Sequence, residues 1–202
     1  MAEEVRRKRK AKEEKMDWKQ TTVLYMHDLL YMLVFIMVVF LLVFRVIVVS
    51  GSSMYDTLID GDYLLLVSNL FYKEPRQGDI IVASKKSFDD GAPIIKRVIA
   101  TEGQTVDIDF GQGIVYVDGV ALEEDYTYTP TNAEEGTVFP LTVEENCVFA
   151  MGDNRNKSRD SRDPSIGQID QREILGKAIF LFLPGTDKGQ SDPDYGRIGE
   201  IK

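Results

Sequence analysis

The chain has one cysteine and one histidine among its 202 residues. The single thiol, Cys147, cannot form a disulfide within the chain and cannot supply a zinc site that needs several thiolates. The single histidine, His27, precedes a long apolar run, so the sequence after residue 50 has none. A Ser-His-Asp triad, a Cys-His pair and a histidine-ligated metal site are therefore excluded from that part of the chain. We predict no metal and no cofactor.

Basic residues are scarce after the first 20 positions. Residues 21–202 hold 16 Lys and Arg against 28 Asp and Glu, whereas residues 1–20 hold eight against five. A body with this acidic excess repels a phosphate backbone. We therefore expect no nucleic acid partner.

A single apolar run extends from Leu29 to Val49, and Arg45 is its only charged residue. As a helix it would be roughly 31 Å long, enough to cross a bilayer, and no face of it is polar. A cleavable signal peptide is the alternative, but its apolar core is usually only about 7–15 residues. Here the run is longer and follows a 28-residue polar lead. We predict a transmembrane helix over residues 28–49 that anchors the chain in the lipid bilayer of the cell membrane.

The charges that flank this run differ between its two sides. Ser50 and Gly51 open the C-terminal side, and basic residues crowd the N-terminal side. The positive-inside rule therefore predicts one pass, with residues 1–27 as a cytoplasmic basic tail and residues 50–202 as an extracytoplasmic domain. The basic residues are Arg6, Arg7, Lys8, Arg9, Lys10, Lys12, Lys15 and Lys19.

The sequence after residue 50 is typical of a mainly β protein. Turn-forming pairs such as Asp118-Gly119 and Pro184-Gly185 separate short apolar, β-branched runs, and only a short helix near Asp170–Ile174 interrupts the pattern. We predict an antiparallel β-sheet, with a small cap region near 104–145 that includes the polar, proline-containing tract Glu123–Glu145. The expected strands are Tyr63–Val67, Asp79–Ser84, Ile94–Ala100, Ile114–Val117, Cys147–Met151 and Ile174–Leu183.

A serine and a lysine can supply nucleophilic chemistry where histidine is missing. Ser53 closely follows the apolar run, and Lys96 lies about 40 residues later among apolar residues. An amine is a general base only when neutral, and burial lowers its pKa from about 10.4 toward neutrality. On a strand Ile94, Lys96 and Val98 share one face, which favours such burial. The alternative is a lysine that extends its amine to solvent.

A third segment, Met151–Arg162, is dense in polar groups directly after an apolar strand. Its simplest interpretation is a solvated loop, but together with the other segments it resembles type I signal peptidase. This membrane-anchored Ser/Lys protease removes signal peptides from exported precursors, and the single anchor resembles the compact Gram-positive form. The resemblance rests on five segments in order, namely Ser53-Met54, Gly61-Asp62, Gly78-Asp79-Ile80-Ile81-Val82, Lys96-Arg97-Val98-Ile99 and Gly152-Asp153-Asn154-Arg155 through Asp160-Ser161-Arg162.

The resemblance implies a serine endopeptidase in which Ser53 is the nucleophile and Lys96 the general base. Ser158 matches the family serine that hydrogen-bonds and orients the base. Supporting roles fall to Arg97, Asp153, Asp160 and Arg162, with Arg97 expected to face away from Lys96 and to meet Asp153.

The resemblance also implies a binding site for the signal peptide. The substrate would lie extended along Ile94–Lys96, and cleavage would follow small residues at the first and third positions before the bond. Residues that match the pocket lining are Val49, Met54, Leu58, Ile94 and Ile95, for which ordinary core packing is the alternative.

Three residues depart from the family pattern. Gly51 stands where some members have a serine that donates to the oxyanion, so the Ser53 backbone N–H remains as one donor. Asp56 and Glu102 stand where proline is usual. A carboxylate at Asp56 would favour the ammonium form of Lys96 if it faced the site, and we expect it to face solvent.

Two other functions remain open from the sequence. A catalytically silent family member could bind exported precursors at the membrane, and Asp56 is the feature that favours this alternative. A self-cleaving Ser/Lys protein similar to the SOS-response repressors would need a DNA-binding helical domain, whereas here a basic tail and an apolar run precede the serine.

Overall fold

The computed structural model describes residues 1–86, 88–187 and 190–201. Two compact units are present, residues 1–42 and residues 43–202. The first unit is helical, and the regular structure of the second consists of β-strands and a few short 3-10 helices. The predicted mainly β fold with one N-terminal apolar helix is confirmed.

Helix α1 (Ala2–Val43) contains the part of the chain that could span a membrane, Trp18–Val43. The predicted end of this helix at residue 49 is wrong, because Phe44–Val48 forms a strand. The run is rich in β-branched residues at this point, which favour extended backbone, and the strand pairs with Tyr63–Val67. The helix also begins earlier than residue 28, since residues 2–27 are helical as well.

The second unit holds all of the strands that the structure describes. They are β1 (Phe44–Val48), β2 (Tyr63–Ser68), β3 (Ile80–Ser84), β4 (Pro93–Thr101), β5 (Thr105–Asp109), β6 (Ile114–Val117), β7 (Val120–Ala121), β8 (Leu141–Thr142), β9 (Cys147–Met151), β10 (Ile169–Asp170), β11 (Ile174–Leu183) and β12 (Gly199–Glu200). Every pairing among the described residues is antiparallel, as predicted.

The strands form two sheets. The larger has the order β1-β2-β11-β3-β4-β9-β10, with β12 paired to β11, and the smaller has the order β7-β6-β5-β8. All six predicted strands are present, three of them with the predicted bounds, and the predicted short helix is a 3-10 turn at Gln171–Glu173. The smaller sheet lies in the predicted cap region, where the sequence indicated only Ile114–Val117 as a strand.

Buried residues from both sheets hold the cap region in place. Val106 and Val115 of the smaller sheet pack with Ile99 and Phe149 of the larger one. Burial of such side chains is worth about 1.5–3 kcal/mol each relative to exposure. This packing fixes the base of the tract between β7 and β8, whose residues contact the loop after β9.

Candidate active site

Ser53 lies in the loop that follows β1. The loop is anchored by Met54 and Leu58, which are both 1% exposed in the core. Asn154 holds the same loop from the opposite side, because its backbone N–H donates to the Ser53 carbonyl at 3.0 Å and its Nδ2 donates to the Ser52 carbonyl at 3.0 Å. The Ser53 side chain remains half-buried in a fixed backbone setting.

Lys96 lies on β4 and meets this serine. Its Nζ donates to Ser53 Oγ at 2.8 Å and to the carbonyl oxygen of its neighbour Ile95 at 3.0 Å. The side chain is 4% exposed, so the snorkelling alternative is wrong. Alternation along β4 places Ile94 and Val98 in a different core cluster from Ile95, as the strand pattern predicted.

Burial lowers the pKa of Lys96 from its usual 10.5 to about 8. Asp160, Glu135 and Asp153 oppose this effect because a negative charge stabilises the ammonium, and Arg162 acts with burial. Desolvation is the largest of these influences. A substantial fraction of the Lys96 amines is therefore neutral slightly above pH 7, where an ordinary lysine is almost fully protonated.

Asp153 and Arg97 form the ion pair that the family resemblance implied. Arg97 donates from Nε and Nη2 to the carboxylate at 2.9 Å and 2.8 Å, and both side chains are at most 2% exposed. Thr57 Oγ1 donates to the same carboxylate at 2.6 Å, and Tyr126 lies against the guanidinium with 4.0 Å between its ring centre and Cζ. The pair thus joins β4, the Ser53 loop and the cap region.

Asp160 and Arg162 form a second buried pair. Arg162 donates from Nε and Nη2 to the two carboxylate oxygens, each at 2.9 Å, and Asp160 also accepts from the Gly152 backbone N–H at 3.0 Å. Arg162 Nη2 also donates to the carbonyl oxygen of Arg155 at 2.6 Å. These contacts fold the segment after β9 back toward Gly152.

Ser158 is buried beside Gly152 but does not make the expected hydrogen bond to Lys96. Within the described chain its Oγ has no hydrogen-bond partner. The Lys96 amine already donates to Ser53 Oγ and to the Ile95 carbonyl. A Cβ on Gly152 would collide with both Ser158 Oγ and the Ser53 carbonyl, so only glycine allows these two serines to approach the same point.

The residues expected to line substrate pockets divide between two places. Val49, Met54, Leu58 and Ile95 share one core cluster beside the Ser53 loop, whereas Ile94 packs against the cluster on the other side of β4. Among the residues that the structure describes, β4 is paired on its β9 side only from Arg97 onward. Residues 93–96 therefore present a free edge next to the Lys96 amine.

The backbone around Ser53 provides one candidate oxyanion donor. The Gly51 N–H donates to Asp60 Oδ1 at 2.8 Å, at a positive φ of 91° that favours glycine. The Ser53 backbone N–H donates no hydrogen bond to any of the described residues. The Ser53 N–H is thus available to a bound carbonyl, as expected from the sequence.

Asp56 is exposed, which confirms the solvent-facing orientation expected for it. Water and salt screen a charge in that position. The acid limb of the pH–rate profile is its low-pH side, where kcat/KM rises as Lys96 loses its proton. We therefore expect Asp56→Pro to leave the midpoint of this limb within about 0.3 pH units of the wild-type midpoint. A pH–rate profile of both proteins measures this, and a shift of half a unit or more would contradict it.

Several contacts have no counterpart in the sequence interpretation. Glu124 forms an ion pair with the buried Arg155 at 2.5 Å, and Glu135 lies 3.5 Å from Arg162. Both acidic residues come from the polar tract of the cap region, where no periodicity or motif marks them.

Cys147 is half-buried, and burial raises the pKa of its thiol, which makes it a poor nucleophile.

The chain is similar to known signal peptidases. A family model described as "Signal peptidase, peptidase S26" matches residues 22–183. The chain is 40% identical over 149 residues to "Probable signal peptidase I-1" of Synechocystis, covering 70% of this chain and 72% of that protein. It is 31% identical over 157 residues to signal peptidase I of Bacillus licheniformis, covering 74% and 82%. It is also 32% identical to the signal peptidase I in a crystal structure from Enterococcus faecalis, covering 52% of this chain and 97% of that one, with a TM-score of 0.42.

Proposed function

The chain belongs to the signal peptidase family S26 of serine peptidases, and we propose that it removes signal peptides with Ser53 as nucleophile and Lys96 as general base. The matching family model and relatives confirm the family and the activity that the sequence motifs implied, and the residue assignment is the proposal. The observation that carries the residue assignment is the 2.8 Å contact between Lys96 Nζ and Ser53 Oγ, with the amine buried.

The proposed reaction has two halves. Ser53 Oγ attacks the carbonyl carbon of the scissile peptide bond while Lys96 Nζ takes its proton, and the Ser53 N–H stabilises the oxyanion. The Lys96 ammonium then gives the proton to the leaving nitrogen, which departs as the new N-terminus of the mature protein. The neutral amine then takes a proton from water, which attacks the ester carbonyl carbon; the bond to Ser53 Oγ breaks and Oγ takes the proton back from the Lys96 ammonium. The signal peptide leaves as a carboxylic acid that ionises in solvent, and both Ser53 and Lys96 return to their starting states.

Several buried residues hold this pair in position. The Arg97–Asp153 and Asp160–Arg162 pairs serve as scaffold. Ser158 keeps its proposed role as the residue that orients the base, and its unpaired, buried hydroxyl beside Gly152 supports this role. A rotation of that hydroxyl toward Lys96 when substrate binds would satisfy the group and hold the amine in its reactive position.

Substrate binding follows from the free edge of β4. An extended signal peptide would pair with residues 93–96 and so bring its scissile bond to Ser53. Val49, Met54, Leu58 and Ile95 are at most 8% exposed and belong to one core cluster, and such dense packing beside Ser53 favours small residues before the cut. Ile94 lies on the opposite face of β4, and its proposed part in binding is through its backbone.

The protein acts at a membrane, as its family and its apolar helix indicate, and its substrates are exported precursors. We propose that residues 1–27 lie in the cytoplasm and that the β-rich unit lies on the far side of the cell membrane, where signal peptides emerge.

Protease added to right-side-out vesicles is expected to digest the β-rich unit and to spare an epitope tag placed before Ala2. The excess of basic residues before the apolar run is the physical reason. Inside-out vesicles are the control, with the opposite pattern. A tag that is digested in right-side-out vesicles would overturn the orientation.

An acylating probe directed at serine tests the Ser53–Lys96 pair, which we call the dyad. The same probe distinguishes an active enzyme from a catalytically silent family member. The full chain in detergent should be labelled at Ser53, at a rate that rises with pH through about 8 as Lys96 loses its proton. Ser53→Ala should not be labelled, whereas Ser191→Ala, which removes an exposed hydroxyl, should be labelled as the wild type is. A folded wild type that resists the probe would refute the proposed activation of Ser53.

A further inference from the structure

Glu135 reaches the active-site scaffold from the cap region. Its Oε2 accepts from the Asp160 backbone N–H at 3.3 Å, and its Oε1 lies 3.5 Å from Nη2 of Arg162. The side chain is 16% exposed, so water screens it only weakly. These contacts bring a residue of the tract between β7 and β8 to the segment that follows β9.

Asp160 and Arg162 connect this carboxylate to the dyad. Asp160 binds the Gly152 N–H, and Gly152 is the residue against which the Ser53 carbonyl and the Ser158 hydroxyl are packed. Asp160 and Arg162 are both fully buried. Glu135 therefore contacts both members of the buried pair that holds Gly152 beside the Ser53 carbonyl.

We propose that Glu135 is a positioning residue that controls how readily Lys96 gives up its proton, acting through Asp160 and Arg162. This inference rests on the proposed roles of Ser53 and Lys96. It adds a residue outside the Ser/Lys motif segments, contributed by the cap region.

The charges around Lys96 explain why Glu135 has this influence. Besides burial, the charged groups with the largest influence on the pKa of Lys96 are Asp160, Glu135, Asp153 and Arg162. Arg97 neutralises Asp153 and Arg162 neutralises Asp160, each through two hydrogen bonds. An ionised Glu135 is then the surplus negative charge, and it stabilises the ammonium form of Lys96.

The state of Glu135 itself changes near neutral pH. Burial and the nearby Asp160 carboxylate raise its pKa to about 7, against the lowering effect of Arg162 and of its hydrogen bond from Asp160 N; Asp163 adds a further raising effect. As pH rises, Glu135 becomes negatively charged near pH 7, and Lys96 loses its positive charge near pH 8. The two ionisations oppose each other, so the acid limb of kcat/KM should extend over a wider pH range than a single ionisation gives.

The test is the pH dependence of kcat/KM for the full chain in detergent, with a peptide that carries small residues at the first and third positions before the cut. Glu135→Gln should move the acid limb to lower pH by about half a unit and give it the shape of a single ionisation. Glu134→Gln is the matched control, because it removes the same charge from the exposed neighbouring residue, and its limb should match that of the wild type. Glu135→Asp keeps the charge and should retain the broad limb.

Two results would overturn the proposal. One is a Glu135→Gln limb that coincides with the Glu134→Gln limb. The other is a wild-type limb that fits a single ionisation, and this measurement stands even if Glu135→Gln fails to fold. A failure of the dyad itself gives a different result, since Ser53→Ala and Lys96→Ala would then remain active whatever Glu135 does.

Discussion

Lys96→Ala and Ser53→Ala are each expected to abolish signal peptide cleavage. A general base contributes about 10²–10⁴-fold, and without the hydroxyl no acyl-enzyme forms, so kcat/KM should fall at least about a hundredfold for Lys96→Ala and to background for Ser53→Ala. The double variant should be no worse than Ser53→Ala, because the two groups act as one unit. Hydrolysis of a model precursor by the purified full chain measures all three.

Lys96→Met separates this loss from misfolding. The pKa of Lys96 is about 8 in the folded chain and rises to its usual 10.5 on unfolding. The unfolded state therefore binds more protons between those values, and stability increases with pH across that window. At pH 7 the buried ammonium costs about 3 kcal/mol, so Lys96→Met should be inactive yet more stable by a few kcal/mol. Lys73→Ala, at an exposed lysine, is the control for both measurements. A Lys96→Ala protein that cleaves at near wild-type rate would refute the Ser/Lys assignment.

Asp153→Ala is expected to lower the free energy of unfolding by about 3–5 kcal/mol, because it leaves the Arg97 guanidinium buried without its carboxylate. Asp153 also accepts from Thr57 at 2.6 Å, so the Ser53 loop loses a contact at the same time. Denaturant unfolding of the full chain in detergent measures the change. The double variant Arg97→Met/Asp153→Ala should recover part of the loss, since no buried charge then remains unpaired.

The matched control is Arg159→Ala. It breaks the ion pair between Arg159 and Asp163, in which the arginine side chain is 64% exposed. Exposed pairs contribute only about 0–1 kcal/mol. If Asp153→Ala cost no more than this control, the Arg97–Asp153 pair would be dispensable for the fold and the scaffold role assigned to it would be wrong.

Much of this protein follows from short-range sequence patterns. The absence of histidine after residue 50 excludes a histidine base there and leaves lysine or a carboxylate as the base, whatever the fold is. Alternation along Ile94–Ile99 separates Lys96 from Arg97, and the turn residues between apolar runs mark the strands that form. Strand alternation and turn formation depend on residues that are close together in the chain, so the sequence alone is enough to predict them.

The tertiary structure decided the properties that depend on distant residues. Phe44–Val48 continues an apolar run that suits a helix or a strand, and pairing with β2 selects the strand. The pKa of Lys96 depends on burial by residues from several elements, and Glu135 approaches Arg162 from a tract without any motif. Strand pairing, desolvation and Coulomb interactions depend on groups that are far apart in the chain and meet only after folding. A short sequence pattern therefore cannot predict their strength.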